Sequence, residues 1–200
     1  MGLAERPADP AIAEEDALRA DLYDMLGALL ARAPSKDLLA RVAGLTGDGS
    51  QLGQAIQTLA HMAGMLKPEG IETEFNTLFI GLTRGELMPY ASYYKTGFLH
   101  EKPLAILRND MRRLGIERAP NVYEPEDNMA SLCEMMAGLI RGTFGSAGSD
   151  KDFYNTHLAA WAGHFFTDLE GAQASVFYAP VGAIGRAFME IEREAYRMEA

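Results

Sequence analysis

The chain has 200 residues, of which 48% are hydrophobic and 23% are charged, and its formal net charge is −10 at pH 7. These values predict one globular domain with a full hydrophobic core. An acidic chain lacks the domain-wide basic surface that nucleic acid or anionic lipid requires, so we expect a cationic partner. Cys133 is the single cysteine, which excludes an internal disulfide and a zinc site built from cysteines.

The N-terminal stretch is the part of the chain least suited to a fold. Residues 1–11 contain two prolines and lack an apolar core, so we expect a flexible tail and no signal peptide there. No run of about 18 apolar residues occurs in the sequence, so no membrane-spanning segment is predicted. We therefore expect a single domain over residues 12–200, located in the cytoplasm.

Apolar residues recur at helical spacing through the first part of this domain. Pro34 is expected to end the first helix, and Ser35 to cap the second. A glycine-containing loop is expected at residues 46–50, and Pro68 should start the fourth helix. The first four helices are predicted, in chain order, at about residues 18–30, 36–45, 52–63 and 69–80.

Residues 81–100 interrupt the helical spacing with glycines, a proline and four aromatic residues. This composition predicts a long aromatic loop, and loops of this length are often functional. Tyrosine offers contact area together with a hydroxyl group. Tyr90 and Tyr94 can therefore either seal the loop onto the core or contact a bound peptide.

The second part of the chain is also helical. Helices are predicted, in order, at about residues 102–114, 125–141, 149–169 and 173–198. Pro180 is expected to break the last one, and residues 142–148 form an exposed, glycine-rich loop. No strand alternation is present. The fold class that follows is all-α, a single-domain helical bundle of about eight to ten helices.

The most informative segment is the run from Glu124 to Asn128. Pro125 suits the first position of a helix, which would place Glu126 and Asp127 in its first turn. No Lys or Arg occurs from residue 119 to residue 140, so these carboxylates are expected to be locally uncompensated. An apolar face with helical spacing follows, formed by Met129, Leu132, Cys133, Met136, Leu139 and Ile140.

Two interpretations of this segment stay open. It can be a capped surface helix whose methionines fill the core. It can also be an acidic helix start beside a methionine-rich groove, which would hold a peptide with arginines next to a hydrophobic run.

Three segments in order resemble motifs of the TorD/DmsD family, the cytoplasmic chaperones of bacterial molybdoenzymes. Residues 74–81, EFNTLFIG, resemble the family's E-[YF]-x-x-L-F-x-G motif. Residues 89–94, PYASYY, resemble P-[YW]-x-S-x-Y, and residues 124–128, EPEDN, resemble E-P-x-D-H. Two positions depart from the pattern, because Asn128 replaces the usual His and Ala91 the frequent Glu.

The resemblance implies a TorD-like fold and a dedicated chaperone. Such a protein binds an apo-molybdoenzyme and its twin-arginine signal peptide, and delays export until the cofactor is inserted. The peptide-binding residues it implies here, together with the spacing argument, are Tyr90, Ser92, Tyr94, Glu124, Pro125, Glu126, Asp127, Asn128 and Met136.

Other classes of protein compete with this interpretation. A helical adaptor without a role in cofactor insertion is one alternative, and a small helical enzyme with an unrecognised site is another. His157 and His164 flank Trp161, but no further ligands stand at metal-binding spacing. No nucleotide-binding loop or catalytic set occurs either, so we expect no cofactor and no enzymatic activity. The identity of the client, guanine nucleotide binding, and the choice between monomer and homodimer are left open.

Overall fold

The computed structural model describes residues 13–119, 123–146 and 148–198. These ranges contain helices and no β-strand, which confirms the predicted all-α class. The tail predicted at residues 1–11 lies outside them. Within the same ranges, none of the helices combines the length and apolarity that a membrane crossing requires. The helices are α1 (Glu14–Ala31), α2 (Lys36–Ala43), α3 (Gln51–Met65), α4 (Pro68–Phe75), α5 (Ala91–Thr96), α6 (Lys102–Leu114), α7 (Met129–Ile140), α8 (Ser149–His157), α9 (Ala162–Gly171) and α10 (Tyr178–Met198).

The first four helices lie where the apolar spacing predicted them. Ser35 caps α2, since its hydroxyl accepts a hydrogen bond from the Leu38 N–H at 3.2 Å. Ser50 caps α3 in the same way, through the Gly53 N–H at 3.0 Å. The predicted fourth helix is in fact α4 followed by a π-helical turn, Asn76–Ile80.

The predicted aromatic loop contains a short helix. Residues 91–96 form α5, which Gly97 ends in a left-handed conformation at φ 83°. The Asp127 side chain accepts the Ser92 N–H at the start of α5, a long-range contact that local spacing does not reveal. The expectation of an uninterrupted loop over residues 81–100 was therefore wrong.

The signature helix α7 begins at Met129, four residues later than Pro125, so the predicted start was wrong. Residues 125–128 form a turn instead, closed by the Asn128 N–H donating to the Pro125 carbonyl at 3.2 Å. Asn128 is extended (φ −67°, ψ 141°) and caps α7 by accepting the Ala130 N–H at 2.9 Å. Glu126 and Asp127 therefore precede the helix and are not part of its first turn.

The C-terminal helices also differ from their predicted bounds. The helix expected over residues 149–169 is interrupted between α8 and α9, where the buried Trp161 indole donates to the His157 carbonyl at 2.6 Å. The last helix, α10, is continuous. Pro180 is its third residue, where the missing N–H removes no intrahelical bond, so the expected break near Pro180 is absent.

The core is centred on α7, in which eight of twelve residues are buried. Leu132, Met136 and Leu139 are 0%, 0% and 5% exposed, as the helical spacing predicted. α7 packs on α1 at Gly27, where a Cβ atom would lie only 3.3 Å from the Ala130 carbonyl oxygen. Burial raises the pKa of the Cys133 thiol on the same face of α7.

Candidate functional site

The second and third motif segments meet, although about 35 residues separate them. Tyr90 and Asn128 pair as an isolated antiparallel bridge. The Ala91 N–H donates to the Asp127 carbonyl at 2.9 Å, and the Met129 N–H donates to the Pro89 carbonyl at 2.8 Å. These bonds place the starts of α5 and α7 side by side.

Asp127 lies inside this junction. Its side chain is 1% exposed, and its Oδ2 atom accepts the Ser92 N–H at 2.8 Å. The carboxylate therefore caps α5, where the helix dipole favours a negative charge. The Asp127 Oδ1 and Ser92 Oγ atoms are also buried, and neither has a hydrogen-bond partner among the described residues.

Glu126 is buried and held by two arginines. Arg108 on α6 donates from Nε at 2.9 Å, and Arg118 lies at 3.6 Å. Burial by itself raises the pKa of the Glu126 carboxyl. The Arg108 hydrogen bond, a backbone N–H and the charges of both arginines outweigh burial and lower that pKa below its ordinary value. The expectation of a locally uncompensated acidic cluster was therefore wrong for Glu126.

Glu124 is the accessible carboxylate of the segment. Its side chain is exposed and accepts a hydrogen bond from the Tyr90 hydroxyl, while its carbonyl accepts from Arg118 at 2.7 Å. Burial, and then the bond to Glu124, raises the pKa of Tyr90. Pro125 next to it is half-buried and begins the turn.

Tyr94 is half-buried and packs against the core, and Met136 lies inside it. The Tyr94 hydroxyl donates to Asp168 on α9 at 2.8 Å, and its ring lies 5.3 Å from that of Trp161. Met136 is fully buried in the core. In this conformation, therefore, the tyrosine fastens α5 to α9 and the methionine offers no surface to a peptide.

The first motif segment has a structural position of its own. The carboxylate of Glu74 accepts the N–H groups of Val176, Phe177 and Tyr178 at 2.8 to 3.0 Å. It therefore caps the start of α10 from more than 100 residues away in sequence. The sequence places Glu74 in the first motif segment, but no local pattern predicts this contact.

A pocket of about 220 Å³ lies beside Glu124. Apolar residues of α6, α7 and the loops that follow them line it, together with four carboxylates and the Arg118 guanidinium. Burial, together with the charge of Asp24, raises the pKa of Glu134 in this pocket. The residues that line this pocket are Met111, Ile116, Glu117, Arg118, Ala119, Glu124, Glu126, Ser131, Glu134, Met135 and Phe144.

The two histidines considered as metal ligands are not brought together with other ligands. His157 is buried, and its Nε2 atom lies 2.9 Å from Asp110 Oδ2, while His164 is exposed. Burial lowers the pKa of His157. The part of the chain that the structure describes contains no group of three candidate metal ligands.

The fold is similar to that of a protein from Archaeoglobus fulgidus described as a redox enzyme maturation protein, whose crystal structure aligns with a TM-score of 0.58. The alignment covers 93% of this chain and 99% of that chain at 17% sequence identity.

The family follows from the sequence comparison. Residues 46–167 match the nitrate reductase delta subunit family, and the chain belongs to this family. A protein named chaperone protein TorD from Vibrio cholerae serotype O1 is 25% identical, with 88% of this chain and 90% of the relative covered. A TorD chaperone from Vibrio parahaemolyticus is 22% identical over 87% and 92% of the two chains. The resemblance to the TorD/DmsD family is thereby confirmed.

Proposed function

We propose that this protein is the cytoplasmic maturation chaperone of a molybdoenzyme, and that it binds the twin-arginine signal peptide of the apo-enzyme. Binding would hide the signal and delay export until the cofactor is inserted. The similarity to TorD chaperones along most of the chain supports the maturation role. The observation that carries the peptide-binding step is the exposed Glu124 carboxylate, hydrogen-bonded to the half-buried Tyr90, beside a pocket that apolar residues, four carboxylates and Arg118 line.

The chemistry of this surface suits the arginine pair of such a peptide. A guanidinium group can form two parallel hydrogen bonds with one carboxylate, and Glu124 is accessible for such a contact. Glu117 and Glu134 add negative charge to the pocket lining. Exposed ion pairs contribute only about 0–1 kcal/mol each, so apolar contacts must supply much of the binding free energy.

In our proposal, the other predicted contact residues position this surface and do not themselves contact the peptide. Asp127, Ser92 and Asn128 hold the starts of α5 and α7 together, and thereby position Tyr90 and Glu124. Glu126 is engaged by Arg108 and would not bind a client arginine without exchanging that partner.

Calorimetry with a synthetic signal peptide tests the proposal. Changing the two arginines of the peptide to alanine should weaken binding about fivefold to thirtyfold, since two exposed pairs of about 0.5–1 kcal/mol each are lost. Glu124→Gln in the chaperone should weaken binding of the parent peptide a fewfold and reduce its salt dependence. Glu72→Gln, an exposed glutamate on α4, is the matched control and should change neither quantity. Equal affinity for the parent and the alanine peptide would refute twin-arginine recognition.

The maturation role needs a separate measurement. The chaperone should bind the apo form of its client and release it once the cofactor is inserted. An adaptor without a role in maturation would bind both forms alike, so a pull-down with apo- and holo-enzyme distinguishes the two functions.

A further inference from the structure

An apolar groove runs along the outer side of α1, between α1, α2 and α3. Its volume is about 630 Å³, and nine of its thirteen lining residues are apolar. α1 contributes Leu18, Leu22 and Met25, while α2 and α3 contribute the opposite wall. The stretch of α1 from Leu18 to Ala28 is roughly 15 Å long, which corresponds to about three helical turns.

The residues of this groove are incompletely covered. Leu18 is 64% exposed and Leu45 is 38% exposed, and Leu22, Met25 and Ile56 are half-buried. The opposite side of α1 packs on α7, and its large apolar residues are buried. An amphipathic helix normally has one such apolar face, so a second one on α1 marks a surface that one more helix can cover.

The rim between this groove and α7 is acidic. Asp21 and Asp24 line the groove and bind the Arg141 guanidinium at 2.7 and 2.6 Å. Glu134 of α7 lies beside α1, since its Cγ atom would lie 3.3 Å from a Cβ atom at Gly27. Three carboxylates thus share the edge with Arg141, and Arg41 lies on the far wall. This edge therefore suits a basic side chain of a bound segment.

The start of α7 lies near the C-terminal end of α1. A Cβ atom at Gly27 would lie 3.3 Å from the Ala130 carbonyl oxygen, near the start of α7, while Arg141 at the end of α7 reaches Asp21 and Asp24. α7 therefore runs antiparallel to α1. Its motif end lies beside the Ala28 end of the groove.

We infer that this groove binds the apolar, helix-forming run of the client signal peptide, with a basic residue of the peptide held at the Asp24–Glu134 edge. The inference rests on the proposed function and assigns the apolar run to a surface away from the α7 methionines. Met136 is buried, so the face of α7 that the sequence favoured is already occupied by the core. A helical peptide bound beside α1 would cover the exposed apolar residues of the groove. This is the helix-in-groove mode of recognition.

Calorimetry with the intact chaperone tests the groove. The double variant Leu18→Glu with Leu45→Glu places charges on two exposed groove residues, which should leave the fold intact, as thermal unfolding would verify. It should bind the parent signal peptide about tenfold more weakly or worse, because apolar burial is lost. The control Ile191→Glu changes a residue of α10 that is 49% exposed and should remain within about twofold of the wild type.

A shortened peptide makes the test specific. Removing part of the apolar run should weaken binding to the wild type much more than to the double variant, since the two changes remove the same contact. The wild type can bind the parent peptide more tightly than its arginine-to-alanine version while the double variant binds the parent peptide as tightly as the wild type does. In that case the groove assignment is wrong and the proposed function stands. If the wild type binds no signal peptide, both the groove assignment and the proposed function are wrong. Sedimentation that shows a wild-type dimer lost in the double variant would assign the groove to a second copy and overturn the inference.

Discussion

The charged residues of the 124–128 segment differ in exposure, and this difference decides what each one does. Asp127 is 1% exposed and bonds to the start of α5, Glu126 is paired with arginines, and Glu124 faces solvent. A buried carboxylate with a backbone partner stabilises the fold. An exposed one is free to meet a ligand.

Replacing Asp127 should therefore affect stability more than replacing Glu124. We expect Asp127→Ala to lower the free energy of unfolding by about 1–3 kcal/mol, since it leaves the buried Ser92 N–H without a partner. Glu124→Ala should change it by no more than about 0.5 kcal/mol. Urea denaturation of both variants measures the difference. Equal losses would contradict the contrast between a buried and an exposed carboxylate.

Glu126 makes stability depend on pH in a defined direction. Its pKa is lower in the folded protein than the ordinary 4.5, so the unfolded chain binds the proton first as the pH falls. The ion pairs therefore stabilise the fold above pH 4.5, and their contribution is lost as the pH drops through the lowered value. We expect Glu126→Gln to cost about 1 kcal/mol at pH 7 and progressively less below pH 4.5.

Denaturation at a series of pH values checks this expectation. Glu117→Gln, at an exposed position, is the control. The difference in its free energy of unfolding from that of the wild type should not change with pH. A cost of Glu126→Gln that grows as the pH falls below 4.5 would have the wrong sign and would argue against a lowered pKa.

Between helices, the close approach of α9 and α10 depends on glycine. A Cβ atom at Gly182 on α10 would lie 2.8 Å from the Phe166 carbonyl oxygen of α9. This oxygen belongs to the helix backbone and cannot move away without shifting α9. By contrast, a Cβ atom at Gly163 on α9 would meet no atom within 4 Å.

These two glycines form a matched pair for mutation. Gly182→Ala should lower the free energy of unfolding by about 1–3 kcal/mol, because the interface becomes overpacked. Gly163→Ala should leave it unchanged or raise it by up to about 1 kcal/mol, since alanine favours a helix. Thermal or urea unfolding of the two variants provides the comparison. An unaffected Gly182→Ala variant would show that α9 and α10 can separate at little cost.

Across the whole molecule, a buried charge network joins helices from both ends of the chain. Glu192 on α10 is 0% exposed and accepts hydrogen bonds from Arg19 at 2.7 and 2.9 Å and from Tyr23 at 3.1 Å, both on α1. Tyr196 extends the network to α8 through Asp150 at 2.7 Å. No local sequence pattern predicts this network. Its members on different helices are more than 40 residues apart in the sequence.

Breaking this network should be among the most damaging single changes. We expect Glu192→Ala to destabilise the protein by about 3–5 kcal/mol, because Arg19 is left partly buried without its main partner. Glu194→Ala, two residues away and exposed, should stay within about 0.5 kcal/mol of the wild type. Replacing Arg19 and Glu192 together by apolar residues should cost less than Glu192→Ala alone. A larger loss in the double variant would mean that the pair itself stabilises the fold strongly.

Local spacing was sufficient to predict the fold class and most of the helices. Apolar residues three and four apart define one helix face wherever they pack, so the inward-facing positions of α7 were correct. Ser35 acts as a cap because its bond reaches only three residues along the chain. The order of the three motifs along the chain was sufficient to indicate the family.

Contacts between distant segments decided the rest. Arg108 lies 18 residues from Glu126 in the sequence and pairs with the Glu126 carboxylate. Local sequence could not indicate this pair, because residues 119–140 contain no Lys or Arg. Asp127 precedes α7, and its carboxylate accepts the Ser92 N–H of α5 instead of lying in the first turn of α7. Glu74 caps a helix more than 100 residues away. The sequence by itself determined which segments are helical, because that depends on near neighbours. Only the tertiary structure decided which charges remain free and which apolar face stays uncovered, because both depend on what each helix packs against.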